Sequence, residues 1–408
     1  TCATRGCDPK KVILRPTEIW EAAEAMRGKG ISSQPAIKWK KIQKFKKTFT
    51  SDIPKRTKRH FKSEGIRMFS ESPKFVDENT LSVAGLEVSA KKIVIATGLI
   101  PRPLEIEGAE FVKHSQDFLS LKKLPKNIVF LGAGYIGMEF AHMAARAGSK
   151  VTVLEHGDRP LKKFDPDLMA FLQKVSEDIG IEFIFNSELK RIQKSRKKYK
   201  LDYKVGQKKK SLKTKLVINT TGRIPAIEKL ELEKGNVDYN ENGIAVDTFL
   251  RSKSNKNVHA CGDVSNNSPP LSPLSGYEAN TVAKNIIQGN KYKIQIPQVP
   301  SVVFTLPNLA AVGYSEEEAK KRYKNIIVRH KNASDWYNNK RINGRAYTYK
   351  IVINERTDMI VGAHVLSHDA AETINLFTLA MNQKMKVRDI KKTIFTYPSW
   401  GNDIKSML

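Results

Sequence analysis

The chain of 408 residues is too long for one hydrophobic core and calls for two or three domains. Its 40% hydrophobic and 28% charged residues are ordinary for globular protein, no apolar run reaches the roughly 18 residues of a membrane span, and three Cys cannot form a disulfide scaffold. The charge is unusual: 71 Lys and Arg against 42 Asp and Glu leave +29, which permits a nucleic-acid or anionic-membrane partner and favours acidic substrates, or else decorates solvated faces.

The first chemical signal is Cys2-Ala3-Thr4-Arg5-Gly6-Cys7, followed by Asp8, Pro9 and a helix-compatible run. This spacing puts both sulfurs near a helix N-terminus, where the dipole favours thiolate. On the residues alone, two separate thiols in a reduced compartment is the simpler reading, and zinc lacks a second Cys or His pair at ligand spacing. From Trp20 to His60, Ile37, Ile42, Phe45 and Phe49 recur at helical spacing among lysines, predicting a long surface helical excursion. Residues 65–87 alternate polar and apolar with turns at Pro73 and Asp77, as a small antiparallel sheet would.

Three apolar runs then deliver glycines to loops, the pattern of a doubly wound parallel sheet that binds ligands at strand ends. Lys92–Ile95 ends in Ala96-Thr97-Gly98, Asn127–Leu131 runs into Gly132-Ala133-Gly134-Tyr135-Ile136-Gly137, and Val258–Cys261 ends in Gly262-Asp263. The second is the strongest signal. Gly132 allows a tight turn, Gly134 admits a pyrophosphate to the backbone, and Gly137 permits close helix packing. Val151–Leu154 forms the next strand and ends in Glu155, 18 residues after Gly137, placed to bind both ribose hydroxyls. An acid there repels a 2′-phosphate, so NADH is preferred over NADPH. Asp263, after strand and glycine, is a functional candidate on position alone. Cys261 reads as a small buried hydrophobe.

The basic runs Arg196–Lys200 and Lys208–Lys210 flank a segment that reads as a hairpin, without the aromatic spacing of an RNA-binding sheet. From Pro297 the texture changes: Ser301–Thr305, Tyr347–Asn354 and Ile360–Leu366 read as strands and Ala370–Gln383 as a helix, an α+β unit of its own.

Taken in order, Cys2/Cys7, Ala96-Thr97-Gly98, Gly132 to Gly137, Thr221-Gly222-Arg223 with Pro225, Gly262-Asp263, Val302-Phe304-Thr305 and Val312-Gly313 resemble the pyridine nucleotide-disulfide oxidoreductases. Dihydrolipoamide dehydrogenase and glutathione reductase are members. The resemblance spans essentially the whole chain. It implies an α/β fold of two Rossmann-like nucleotide-binding domains, the first incomplete, plus a C-terminal α+β dimerisation domain. The implied boundaries are 1–125 for the FAD-binding domain, 126–253 for the NAD-binding domain, 254–296 for the return segment of the first, and 297–408 for the interface domain.

By that resemblance a nicotinamide cofactor reduces FAD, FAD reduces the Cys2/Cys7 disulfide, and the dithiol reduces an acceptor. Cys7 matches the sulfur beside the flavin and Cys2 the exchanging sulfur. Lys11 matches the lysine at the flavin N5 and Glu139 its ion-pair partner; on the residues alone these are a solvated lysine and an exposed helix acid. Tyr135 matches the lid over the nicotinamide pocket, Asp263 the acid holding the ribityl chain, and Thr97, Gly98 and Gly222 the turns beside the cofactors.

The chain departs from the family pattern at both ends. It begins one residue before Cys2, where members carry a βαβ unit with its own FAD-binding fingerprint, so the expectation is a fragment lacking about 40 residues that holds FAD poorly. Near the other end, members have a His-Pro-Thr segment with Glu five residues after the His. Here the segment is Tyr397-Pro398-Ser399-Trp400-Gly401-Asn402. A phenol is a weak base at neutral pH, though it can donate a hydrogen bond, and Asp403 nearby is either a contributor or a surface acid. Mercuric reductase-like members end in a Cys pair, and Ser406-Met407-Leu408 is unlike that ending.

The sequence thus predicts a cytoplasmic, homodimeric FAD- and NADH-dependent reductase acting through Cys2, Cys7, Lys11, Glu139 and Tyr397 on a disulfide or other small acceptor. One alternative is an NADH oxidase or quinone-type diaphorase with a non-essential Cys pair. The other is a basic binding protein for nucleic acid or membrane.

Overall fold

A computed structural model describes residues 2–408. The N-terminal body opens with a one-turn helix, Cys2–Arg5, and the redox helix Cys7–Ala25, which buries Ile13 and Leu14 in one core with Phe118 and Phe140. The predicted helical excursion is broken into two helices, Trp39–Thr50 and Ile53–Ser63. Pro54 can open a helix but cannot continue one. Only the first helix docks: Trp39 and Ile42 are buried, Trp39 Nε1 donates to Leu121 O at 2.7 Å, and Lys46 Nζ donates to Leu119 O at 2.6 Å. Phe45 and Phe49, read with Ile42 as one stripe, lie on the open side.

A small antiparallel sheet follows (Lys74–Phe75, Thr80–Val83, Leu86–Ser89). The strand Ile93–Ile95 then pairs in parallel with Val258–Ala260, across some 160 residues of chain. That pairing returns the Gly262-Asp263 turn to the N-terminal body.

The middle body is a four-stranded parallel sheet in the order Val217–Asn219, Asn127–Leu131, Lys150–Leu154, Ile181–Ile184. Its first three strands are almost wholly buried because the helices Tyr135–Arg146 and Pro166–Asp178 and an antiparallel meander cover the sheet. The meander has three strands, Ser187–Ser195, Lys198–Val205 and Lys208–Thr214, where the sequence predicted a hairpin. Its apolar face of Ile192, Leu201 and Tyr203 joins the core, and its lysines line the other.

The C-terminal body is a five-stranded antiparallel sheet ordered Ser301–Val303, Asn308–Gly313, Met359–Ser367, Thr348–Asn354, Ile326–Asn332. Helices Ala370–Asn382 and Trp400–Met407 close its core with Ile374, Phe377, Trp400, Ile404 and Met407. The middle and C-terminal bodies meet at a buried cation. Lys350 Nζ lies 2.9 Å from Asp165, 2.5 Å from Asp167 and 3.2 Å from Glu316. No helix among the described residues is long and apolar enough to cross a membrane.

Candidate active site

The redox helix carries Cys7 in its first turn, and the short helix before it returns Cys2 to the same place. Both thiols are free and reach one hydroxyl, Ser272 Oγ, at 3.3 Å from Cys2 Sγ and 3.7 Å from Cys7 Sγ. Ser272 is the first residue of the 17-residue helix Ser272–Gln288. The two thiols differ in acidity. Burial pushes Cys7 up, and so does its contact with Cys2. Burial also opposes ionisation of Cys2, but hydrogen bonds from Ser272 and Cys7 prevail and lower it. The expectation of two thiols lowered together therefore holds for Cys2 alone. Cys261, by contrast, is buried and pushed up to about 11, by burial first and then by Glu278.

One turn into the redox helix the structure corrects the sequence reading. Lys10, not Lys11, pairs with Glu139: Nζ donates to Oε1 at 2.9 Å with both side chains buried. Lys11 is exposed and lies 3.5 Å from Glu18. Helical geometry decides this, since neighbouring side chains are 100° apart and only one of the two can face the helix that carries Glu139. The same Oε1 accepts the Phe304 N–H at 2.9 Å, and Lys10 Nζ sits 4.1 Å from the Phe304 ring centroid. A buried lysine is thus held by two partners, a carboxylate that a backbone amide fixes in place and an aromatic face.

The glycine fingerprint has the geometry its spacing implied. Gly132 takes φ +94°, and a Cβ on Gly137 would stand 2.1 Å from Gly132 O. A Cβ on Gly134 would meet nothing within 4 Å, so packing within the chain does not require glycine there. The carboxylate of Glu155 caps the loop, accepting from Ala133 N at 2.6 Å and Gly157 N at 2.7 Å. Tyr135 opens the fingerprint helix and stacks obliquely on Phe164 at 5.4 Å between centroids. These residues fit the adenosine and pyrophosphate of a nicotinamide dinucleotide.

A third cluster joins the remaining turns. Strand Leu99–Pro101, following Thr97 and Gly98 (φ +70°), pairs with Arg223–Pro225, following Gly222 (φ +132°). Ala226 N donates to Gly98 O at 2.9 Å, and Arg223 Nη1 lies 3.7 Å from Asp263 Oδ2. Asp263 also accepts from Ser275 Oγ at 3.3 Å, in the first turn of the helix that begins at Ser272. A helix N-terminus, an acid and left-handed glycines fit the polar parts of a flavin nucleotide.

Tyr397 stands apart from all three clusters at 74% exposure. Asn402 lies in the first turn of the helix Trp400–Met407, its N–H donating to the capping Ser399 Oγ. Asp403 is not a surface acid: it turns inward, accepting from Asn338 Nδ2 at 3.0 Å and Tyr347 Oη at 3.3 Å, and burial raises it. Sequence reading missed Ser272 and Lys10. Ser272 lies more than 260 residues from the thiols, so no local spacing announces it.

A thiol pair, a buried lysine–acid pair and two sets of glycine turns at strand ends are thus gathered on one N-terminal and one middle body. Comparison places the chain more closely. Residues 1–281 match the pyridine nucleotide-disulphide oxidoreductase model and residues 299–408 the dimerisation domain of the same family. The chain belongs to that family, whose members use FAD and NAD(P)H. It is 28% identical to a mercuric reductase of Bacillus cereus over 99% of its own length and 65% of the relative's. It is 30% identical to a dihydrolipoyl dehydrogenase of Staphylococcus aureus over 98% of the chain and 86% of the relative. It superposes on the HOCl-induced flavoprotein disulfide reductase RclA of Escherichia coli with a TM-score of 0.86, at 25% identity, covering all of this chain and 90% of that one. The dimerisation domain supports a homodimer.

Proposed function

We propose that the protein passes electrons from NADH through FAD to the Cys2/Cys7 pair and on to a disulfide or other small acceptor, as a cytoplasmic homodimer. One observation carries the reading: two thiols converge on the Ser272 hydroxyl, and the helix that begins at Cys7 holds a buried Lys10–Glu139 pair in its first turns.

FAD supplies the two-electron exchange between nicotinamide and dithiol. The chain's own residues do the rest. Gly132, Gly134 and Gly137 open the backbone for pyrophosphate, and Glu155 receives the adenosine ribose. Tyr135 covers the nicotinamide side. Lys10 presents a fixed positive charge, and Glu139 with Phe304 N–H keeps that charge in place. Thr97, Gly98, Gly222 and Asp263 hold the flavin's polar chain. Ser272 Oγ donates to whichever sulfur is ionised. Cys2, the more acidic, is the sulfur that attacks the acceptor, and Cys7 resolves the mixed disulfide by attacking Cys2 and re-forming the bond.

The test is an anaerobic titration of the FAD-loaded, full-length protein with NADH, counting thiols that react with a disulfide reagent. Gain of two thiols per chain, lost in Cys7→Ser, supports the relay. Turnover of a quinone with no change in thiol count, undiminished in a Cys2→Ser, Cys7→Ser double variant, favours the diaphorase reading. Replacement of the family's His and Glu by Tyr397 and Asn402 is the observation that keeps that second reading in view.

A further inference from the structure

The redox helix Cys7–Ala25 and the fingerprint helix Tyr135–Arg146 meet at two ion pairs. Beyond Lys10–Glu139 lies Glu21–Arg146, with Arg146 Nε donating to Glu21 Oε2 at 2.7 Å and the Arg146 side chain fully buried. Arg345 Nε donates to the other oxygen of Glu21. The remaining arms of Arg146 are also taken: Nη2 donates to Leu306 O at 2.8 Å, and Nη1 lies 3.1 Å from His142 Nδ1. Like Glu139 with Phe304, this second contact joins both helices to the C-terminal body.

At about 100° per residue, Lys10 and Glu21 come back within roughly 20° of one another after three turns, and Glu139 and Arg146 do so after two. The redox helix therefore presents a cation then an acid, and the fingerprint helix an acid then a cation. Reversing the match would set like charges together where neither is solvated. The redox helix carries a competing face as well. Lys11 and Glu18 share a direction roughly 80–100° round from Lys10 and pair with each other at 3.5 Å. Their seven-residue spacing equals that of Glu139 and Arg146, so the charges of the two helices alone do not exclude a match rotated by one residue. Arg345 does, because it reaches Glu21 from a third element. Buried Ile13 and Leu14 favour the observed phase by a separate, apolar route.

We propose that Glu21, Arg146 and Arg345 are positioning residues that hold the redox helix at the one rotational phase in which Lys10 stands in the buried site opposite Glu139. A buried ionic network is weak evidence for stability, and fixing register is its best-attested use. The effect on chemistry runs through Lys10 and from there to Cys7, whose thiol is pushed up by burial and Cys2 and drawn down by Ser272 and Lys10. That consequence rests on the electron-relay reading, whereas the phase itself is measured without turnover.

The test is acylation of lysines in the full-length, FAD-loaded protein with acetic anhydride, followed residue by residue by mass spectrometry. Protection of a buried group reports the local structure that covers it. Lys350, buried between the middle and C-terminal bodies, is the internal control for global unfolding. In a Glu21→Leu, Arg146→Leu variant the Lys10 rate rises roughly tenfold while Lys350 stays protected, and the pH profile of Cys7 alkylation moves upward. Arg345→Leu, which leaves the Glu21–Arg146 pair in place, moves both readings in the same direction and by less. The proposal is overturned if Lys10 stays protected in the folded double variant, which would leave the phase to Ile13 and Leu14. It is equally overturned if Lys10 and Lys350 become reactive together, which would make the network a brace for the fold alone. A parent that gains no thiols with NADH, beside the expected Lys10 change in the variants, would overturn the relay and uphold the phase assignment.

Discussion

Glu139 Oε1 receives two donors at the same distance, Lys10 Nζ and Phe304 N, each at 2.9 Å. One oxygen therefore ties the redox helix, the fingerprint helix and the first residues of the C-terminal body to a single point.

Removing one partner of a buried pair leaves an uncompensated charge. Lys10→Met should destabilise by ~3–5 kcal/mol, while Lys11→Met, in an exposed pair, should cost less than about 1 kcal/mol. Urea unfolding of both variants checks this, and equal effects would refute the assignment of the buried lysine.

Ser272→Ala should raise the apparent pKa of Cys2, since a donor to the thiolate is lost and burial remains. A hydrogen bond to a charged group is worth about 1.5–3 kcal/mol, or roughly one to two pH units. The pH dependence of iodoacetamide alkylation reads it directly. Ser272→Thr keeps the hydroxyl and should restore the parent profile.

The two fingerprint glycines should separate fold from ligand. Gly137→Ala forces a methyl to 2.1 Å from a backbone carbonyl and should prevent a native middle body. Gly134→Ala meets open space, so its thermal unfolding should stay close to the parent's while NADH affinity drops at least tenfold through lost pyrophosphate approach. Near-parent NADH binding by Gly134→Ala would refute the cradle.

Acid should act first through the buried histidines His142, His259 and His364, all held below the usual range by burial first, with His142 the most deeply buried example. Burial, then the nearby Arg146 and Arg345, hold its imidazole well below the usual histidine range, so it stays neutral in the folded protein. The unfolded chain takes up that proton as pH falls through about 6.5, and stability declines by up to ~1.4 kcal/mol per unit below it. Glu21 adds a second loss. Burial raises its carboxyl, but Arg146 and Arg345 outweigh this and lower it, so its contribution is complete above the ordinary value near 4.3 and disappears in stronger acid. Denaturant midpoints from pH 7 to 3 check both, and His142→Gln should flatten the upper part of the curve.

The parallel strands and the fingerprint were legible because glycine spacing and a terminal acid are local constraints. Strand Asn127–Leu131 and its loop follow directly from the residues. The Lys10–Glu139 pairing was not, since choosing between adjacent lysines needs the rotational phase of a helix that sequence spacing leaves open. Nor was Ser272, which meets the thiols only after the chain has crossed the middle body and returned. The three-stranded meander was read short because its first strand, Ser187–Ser195, mixes charge with its apolar positions. Phe45 and Phe49 kept helical period with Ile42, yet periodicity says nothing of whether a neighbour exists to cover the stripe.

Lys350 has a consequence for modularity. Its ammonium is satisfied by two acids of the middle body, Asp165 and Asp167, and by Glu316 of its own. A chimera that took residues 299–408 from a relative would strand Asp165, which is itself buried, unless the graft brought a cation to the same depth. The seam between these bodies is therefore keyed, and recombination across it succeeds only between parents that carry matching halves.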